Sequence, residues 1–381
     1  MLTTSALTEE RAEWTETDRR MMARALELAA NGVGRVSPGP LVGCVIVDSS
    51  GEVAGEGFYV YEDVKHAETM ALQQAGDRAR GGSAYVSLEP HAHHGRTAPC
   101  TDALIAAGIK RVVAPIKDLN PRVSGKGFEH LRAAGVAVHT GLFAREAERL
   151  NEKYLHYMRT GLPFVHLKLA VSLDGKIATR TSDSRWVAGP ESRARAHELR
   201  HQYDAILVGA GTVAIDDPLL TDRSGNPRRL PLVRVVLDEA LKISPQSQLA
   251  KTAMQTPVIV FTGSGANADS IKRLEAQGVE IVRSNGRDVL PVLKELGGRS
   301  IQSVLVEGGA AIAGNFVDAK LINKATFFVA PKIVGGREAP TAVGGAGIDR
   351  MADALELEDV EVIHRGRDVE ITGYPGMKDE G

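Results

Sequence analysis

The chain lacks most features that would tie it to a secreted, membrane-bound or nucleic-acid-coating role. It has two cysteines, Cys44 and Cys100. That is too few for a disulfide framework and fits a reducing compartment. Its net charge is −2, which argues against a general polyanion binder and leaves room only for a local basic pocket. No apolar run is long enough to span a bilayer. Residues 1–14 carry charges but no apolar core, so they do not read as a secretory signal. No internal repeat at a fixed period is visible. A cytoplasmic enzyme with no nucleic-acid and no membrane partner is the expectation left standing. With 381 residues, 43% hydrophobic and 25% charged, the chain is too long for one typical core, and two domains are expected.

What is present alternates between helix and strand signals. Met21, Met22, Ala25, Leu26 and Ala29 recur at helical spacing over Asp18 to Ala30, with Thr17 or Asp18 as the expected cap. Leu41 to Val47 and Val53 to Tyr59 flank a Ser-Ser-Gly turn and predict a hairpin. Short strands are expected at Ala84 to Leu88, Arg111 to Ala114 and Val136 to Thr140, with helices at His66 to Ala75 and Cys100 to Ala107. This pattern predicts a sheet covered on both faces by helices. One helix from about Arg145 to Arg159 then runs to Gly161-Leu162-Pro163, a stop signal. A first domain over 1–150 (ordered from about 18), a linker over 151–163 and a second domain over 164–381 follow. The second domain repeats the α/β pattern, with strands at Phe164 to Val171, Ala205 to Val208, Leu232 to Leu237, Val258 to Phe261, Ser303 to Glu307 and Ala325 to Val329.

Chemistry concentrates first in His66-Ala67-Glu68, Pro90-His91 and Pro99-Cys100. A zinc deaminase needs three ligands, an open position for water and a carboxylate that is not a ligand. His66, His91 and Cys100 supply the ligands in this reading, and Glu68 supplies the carboxylate. Cys100 opens a predicted helix, where the helix dipole favours a thiolate. The competing reading is a surface histidine cluster, since His91, His93 and His94 crowd one loop. Cys44, inside an apolar strand, reads as core.

In the second domain, a strand runs into Lys168 to Ala178, and Ser184-Arg185-Trp186 follows. Two further strands run into the small-residue turns Gly209-Ala210-Gly211-Thr212 and Glu307-Gly308-Gly309-Ala310. Such turns offer backbone amides to a phosphate or pyrophosphate. Neither turn is Gly-x-Gly-x-x-Gly, so the pattern is not a Rossmann fingerprint. Taken singly, each reads equally as a plain tight turn.

Taken together, the deaminase motifs, Asp118-Leu119-Asn120-Pro121, Val123-Ser124-Gly125-Lys126-Gly127 and the turns of the second half resemble the bifunctional riboflavin-biosynthesis deaminase/reductase family over nearly the whole chain. The resemblance implies a cytidine-deaminase-like three-layer α/β/α domain followed by a dihydrofolate-reductase-like α/β domain. It implies Zn2+ in the first and NADPH in the second. The activities implied are hydrolytic deamination of a phosphorylated pyrimidine, with Glu68 catalytic, and reduction of its ribosyl group to ribityl. His93 and Arg96 match substrate positions of the deaminase. Ala170, Trp186, Thr212, Asp216 and the run Gly309, Ala310, Ala311, Ile312, Ala313, Gly314 and Asn315 match cofactor positions. Ser184, Arg200, Leu220, Arg223 and Glu307 match substrate positions of the reductase. Arg96, Arg200 and Arg223 suit a phosphate as fixed donor forks. A homo-oligomer is expected.

The sequence departs from the family at Gly39, where Asn is usual, at Tyr59, where His is usual, and at His91, where a ligand cysteine is usual. Glu239 stands where Ser is common, which bears on NADPH preference. Two other readings stay open: a reductase whose first domain is a structural zinc module, and a nucleic-acid deaminase. Near-neutral charge, the long His91 to Cys100 spacing and the second domain count against the latter.

Overall fold

The computed structural model describes residues 14–62, 65–95, 98–284 and 288–376. It divides into two compact units between Arg159 and Thr160. No helix among the described residues is long and apolar enough to cross a membrane.

The first unit contains α1 (Glu16–Ala30), β1 (Gly43–Val47), β2 (Val53–Phe58), α2 (Ala67–Ala75), β3 (Ser83–Val86), α3 (Cys100–Ala106), β4 (Arg111–Ala114), α4 (Lys126–Ala133), β5 (Ala137–Thr140), α5 (Ala144–Leu150) and α6 (Glu152–Thr160). Its sheet runs β2-β1-β3-β4-β5. β1 pairs antiparallel with β2 and β3, and β3, β4 and β5 are parallel. The alternation along β1 sends side chains to opposite faces. Cys44 and Ile46 join Ala67, Ala71, Leu104 and Leu131 on one side, while Val45 and Val47 join Met21, Met22, Ala25 and Tyr85 on the other. Both layers are thus filled, as the two-faced pattern predicts.

Two details differ from the sequence reading. The cap of α1 is Thr15, in a reciprocal capping box with Asp18, so Asp18 is the third residue of the helix and not its cap. The single helix expected over 145–159 is two helices, because Asn151 breaks it. Its side-chain Oδ1 accepts from Leu41 N at 2.8 Å and its Nδ2 donates to Leu41 O at 2.9 Å. That pair of bonds fastens the break to the segment entering β1.

α2 lies unusually close to β2. A Cβ on Gly57 would collide with the carbonyl oxygen of Ala67, and one on Gly55 with that of Ala71. The contact sets the depth of the helix that carries His66 and Glu68. Gly57→Ala is therefore expected to push the start of α2 away from the sheet, costing about 1–3 kcal/mol of stability. It should also reduce bound zinc, measured by metal analysis of the folded protein. A variant with full metal content and an unchanged melting midpoint would refute this.

The second unit contains β6 (Phe164–Ser172), α7 (Pro190–His201), β7 (Ala205–Gly209), α8 (Ala210–Asp216), β8 (Val233–Leu237), α9 (Gln248–Lys251), β9 (Val258–Thr262), α10 (Ala268–Glu275), β10 (Val279–Arg283), α11 (Val289–Gly298), β11 (Ser303–Val306), α12 (Ala310–Asp318), β12 (Lys324–Ala330), β13 (Leu357–Arg365) and β14 (Asp368–Pro375). The sheet order is β10-β9-β8-β7-β11-β6-β12-β14-β13. It is parallel from β10 to β12, with an antiparallel β13–β14 hairpin at the end. The chain steps outward from β6 through β7 to β10, then returns to insert β11 between β7 and β6. Such a reversal opens a crevice beyond the carboxyl ends of the strands.

Candidate active sites

In the first unit, His66 is the extended residue capping α2, and Glu68 sits in that helix's first turn. Cys100 opens α3 directly after Pro99. His91 lies in the loop after β3, and its carbonyl accepts from Thr101 N at 3.3 Å, which ties the loop to the start of α3. The loop is also braced from behind. Glu89, 4% exposed, accepts backbone N–H groups from Asp118, Gly125 and Gly127 at 2.9–3.1 Å. The 118–127 stretch that carried part of the family resemblance thus acts here as a support for Pro90-His91.

The donor atoms of His66, His91 and Cys100 all lie within 4.8 Å of one another, a spacing that one tetrahedral ion satisfies. Burial, helped by neighbouring His66 and His93, lowers the His91 pKa to about 4. His91 is therefore the neutral imidazole that a metal requires. Burial and the Glu68 carboxylate raise the thiol pKa of Cys100 in the metal-free site, so the thiolate expected at this helix start needs the positive charge of a bound metal. Glu68 is 2% exposed, and its Oε2 has no hydrogen-bond partner. A buried carboxylate oxygen without a partner is costly unless something is meant to occupy the space before it. The donor set and the orphaned oxygen together fit a zinc ion with a reactive water. His93 stands edge-on to His91 at 5.1 Å between ring centroids. Arg96 lies outside the described residues.

In the second unit, a cavity of about 1000 Å³ opens at the crevice beyond β6, β7, β8 and β11. Ala170, Trp186, Thr212, Asp216, Gly309, Ala310, Ala311 and Ile312 line it, as do Ser184, Arg200, Leu220, Arg223 and Glu307. Ala313, Gly314 and Asn315 do not. They lie further along α12, where Gly314 packs on the backbone of Gly344 and Gly345. The amino end of α12 has no side-chain cap, and a Cβ on Gly308 or Gly209 would strike Ile312 at 2.5 and 2.8 Å. The bare turn and free amides form a cradle suited to a pyrophosphate. Ser184 Oγ donates to Asp216 at 3.0 Å, joining two stretches of the wall. Glu239 is not among the lining residues.

Arg200 differs from its expected part. Its guanidinium grips Glu307 in a two-pronged bond, Nε to Oε1 at 2.7 Å and Nη2 to Oε2 at 3.0 Å, and its Nη1 donates to Thr221 O at 3.2 Å. The fork read as a phosphate clamp is committed to a carboxylate. Arg223 is exposed, with only Nε bonded, to Thr221 Oγ1 at 3.2 Å. Lys168, which the motif reading passed over, lines the cavity and reaches Glu307 Oε2 at 3.4 Å. Its signal was available as a lone charge inside the apolar strand Phe164 to Val171. Burial alone would raise the Glu307 pKa, but Arg200 and Lys168 lower it to about 2. His197 also lines the cavity and was not singled out from the sequence.

Residues 163–371 match the RibD C-terminal domain, and residues 15–115 match the cytidine and deoxycytidylate deaminase zinc-binding region. The riboflavin biosynthesis protein RibD of Bacillus amyloliquefaciens is 41% identical over 359 residues, covering 93% of this chain and 95% of its own. That of Escherichia coli is 38% identical over 366 residues, covering 92% and 98%. Among solved structures, Acinetobacter baumannii RibD is similar with a TM-score of 0.85 at 34% identity, covering 94% of this chain and 99% of its own. A diaminohydroxyphosphoribosylaminopyrimidine deaminase/5-amino-6-(5-phosphoribosylamino)uracil reductase from Thermotoga maritima gives a TM-score of 0.83 at 36% identity, covering 94% and 99%.

Proposed function

The chain belongs to the RibD family of bifunctional riboflavin-biosynthesis deaminase/reductases, and from that premise we propose how its own residues perform two consecutive steps. The substrate of the first is 2,5-diamino-6-(5-phosphoribosylamino)pyrimidin-4(3H)-one, which loses its ring amine as ammonia. The product's ribosyl group is then reduced to ribityl. The carrying observation is the convergence of His66, His91 and Cys100 beside the unpartnered oxygen of Glu68.

Zinc, when held by His66, His91 and Cys100, supplies Lewis-acid activation of water. Glu68 takes a proton from that water at its free carboxylate oxygen and returns one to the departing amine. His93 and Arg96 hold the sugar phosphate. In the second unit NADPH, when bound, supplies the hydride. The Gly308-Gly309 turn and the start of α12 receive its phosphates, with Ala170, Trp186, Thr212 and Asp216 along its length. Glu307 stays ionised and accepts from a sugar hydroxyl, so it orients the substrate and does not donate a proton. The Lys168 ammonium beside it is the proton donor. Arg223 faces the substrate phosphate with its unbonded guanidinium nitrogens, and Arg200 holds Glu307 in place. We place the protein in the cytoplasm as a homo-oligomer.

The test is coupled turnover. Purified protein given the diaminopyrimidine substrate and NADPH should release ammonia and oxidise NADPH in equal amounts. Ammonia without NADPH oxidation removes the second activity. NADPH oxidation only with pre-deaminated substrate removes the first.

A further inference from the structure

Trp186 is 65% exposed at the rim of the second unit's cavity. An apolar ring so exposed has little packing to fix its rotamer, and what holds it here is charge. The guanidinium carbon of Arg193 lies 4.5 Å from the centroid of the indole, a cation–π contact. Lys332 Nζ donates to the Trp186 carbonyl. Arg193 Nη1 also donates to Ala188 O at 2.8 Å, so one arginine holds both the ring and the backbone two residues beyond it.

Arg193 is set in its turn from a distant part of the chain. It stands in the first turn of α7, where its N–H donates to Gly189 O at 3.1 Å. Gly189, the cap residue of α7, offers no side chain to that helix end. Asp368, at the start of β14 and 179 residues away, takes that part: its Oδ2 accepts from Gly189 N and from Ser192 Oγ, both at 2.6 Å. Asp368 and Ser192 are 2% and 1% exposed. A Cβ on Gly189 would sit 3.2 Å from the same oxygen, so the carboxylate is seated directly on the backbone. There it also faces the positive end of the helix. The contacts run in series: Asp368 fixes Gly189, Gly189 starts the turn that carries Arg193, and Arg193 holds Trp186.

We propose that Arg193 and Asp368 are positioning residues of the reductase, and that together they hold Trp186 where it meets the cofactor. The proposal rests on the reading above that Trp186 lies along NADPH. An indole fixed beforehand gives up little rotamer freedom when the cofactor arrives. The effect of both residues therefore falls on cofactor binding, and hydride transfer itself is left to the groups already described.

The experiment measures NADPH oxidation with pre-deaminated substrate by the full-length protein and by its Arg193→Met, Arg193→Lys, Asp368→Ala, Asp368→Asn, Trp186→Leu and Arg193→Met/Asp368→Ala variants. The chain has two tryptophans, so the fluorescence anisotropy of Trp186 is read alone in a Trp14→Phe background. Arg193→Met should raise the KM for NADPH about 3- to 5-fold, the size of one cation–π contact at a rim. Its kcat should stay within about 2-fold, and the anisotropy should fall. Arg193→Lys should lie between, since the charge stays and the planar fork goes. Asp368→Ala should move KM and anisotropy the same way and lower the melting midpoint. Asp368→Asn should restore all three, because a single oxygen accepts both bonds. The double variant should have a KM no worse than the worse single variant, as residues acting in series do. An unchanged KM in Arg193→Met overturns the inference, as do Arg193→Met and Asp368→Ala effects that simply multiply. A lowered midpoint in Asp368→Ala with wild-type KM and anisotropy makes Asp368 a structural cap and overturns its part. Trp186→Leu with a wild-type KM overturns the cofactor reading itself, whereas a raised KM there beside an indifferent Arg193→Met overturns this inference alone.

Discussion

Glu68→Gln should cut ammonia release by about 10³- to 10⁴-fold, the upper range for loss of a positioned general acid–base group. NADPH oxidation with pre-deaminated substrate should stay at the wild-type rate. Glutamine has the same shape and can still occupy the first turn of α2, but its amide cannot accept a proton from water and hand it to a leaving amine. Zinc content should not change, because His66, His91 and Cys100 are the proposed ligands and Glu68 is not part of that cluster. Stability supplies a second readout. Glu68 is 2% exposed with an orphaned Oε2, and a buried charged oxygen without a partner costs stability. The neutral amide should leave the melting midpoint of the metal-free protein unchanged or raise it. No ammonia release from either protein would establish the rival reading, a reductase carrying a structural zinc module, and equal release from both would remove the proton-shuttle role from Glu68. A lowered midpoint would mean that Glu68 is a scaffold residue.

The cluster of His66, His91 and Cys100 that the structure brings together was legible in the sequence because each of its residues announces itself locally. His66 stands two residues before Glu68 at a helix start, and His91 and Cys100 each follow a proline. The sheets were legible for the same reason, as short apolar runs between turn signals. What was illegible depends on contacts between distant positions. The Arg200–Glu307 grip spans 107 residues, so an arginine that looks free in the sequence is engaged in the structure. Gly39 and Tyr59 read as two separate departures from a family pattern, and only the Cβ contact joins them. The N-cap was misplaced because Thr15, Thr17 and Asp18 are all good capping residues, and only the reciprocal bond selects Thr15. The β13–β14 hairpin and β10 escaped notice for another reason. β13 is exposed along most of its length, so no buried face imposes an alternation on its sequence.

Glu307→Gln is the second change expected to act strongly, lowering NADPH oxidation by about 10²-fold or more while leaving ammonia release intact. The carboxylate is enclosed with two cations: side chains of Glu307, Arg200 and Lys168 are 9%, 16% and 13% exposed. Removing the one negative charge leaves two positive charges facing each other in a poorly solvated wall, and breaking such a buried pair costs about 3–5 kcal/mol. The pH dependence separates this from a simple packing defect. Glu307 titrates near 2 in the folded chain against an ordinary 4.5, so the folded state binds fewer protons there than the unfolded state does. Its stabilisation, roughly 3 kcal/mol, is complete above about pH 4.5 and is lost as pH falls from there toward 2. Denaturant titrations of the two proteins should therefore lie well apart at pH 6–7 and converge between pH 4.5 and 3, with wild type losing stability the faster. Arg200→Lys should fall between them, since it keeps the charge and loses the two-pronged geometry. Parallel curves for wild type and Glu307→Gln across that window would show that the ion triad is not what holds the carboxylate. The triad also predicts that NADPH oxidation has no acid limb from Glu307 between pH 5 and 8, because a group ionised down to about 2 cannot titrate there. An inflection in that range that vanishes in Glu307→Gln would move the proton-donor role from Lys168 to Glu307.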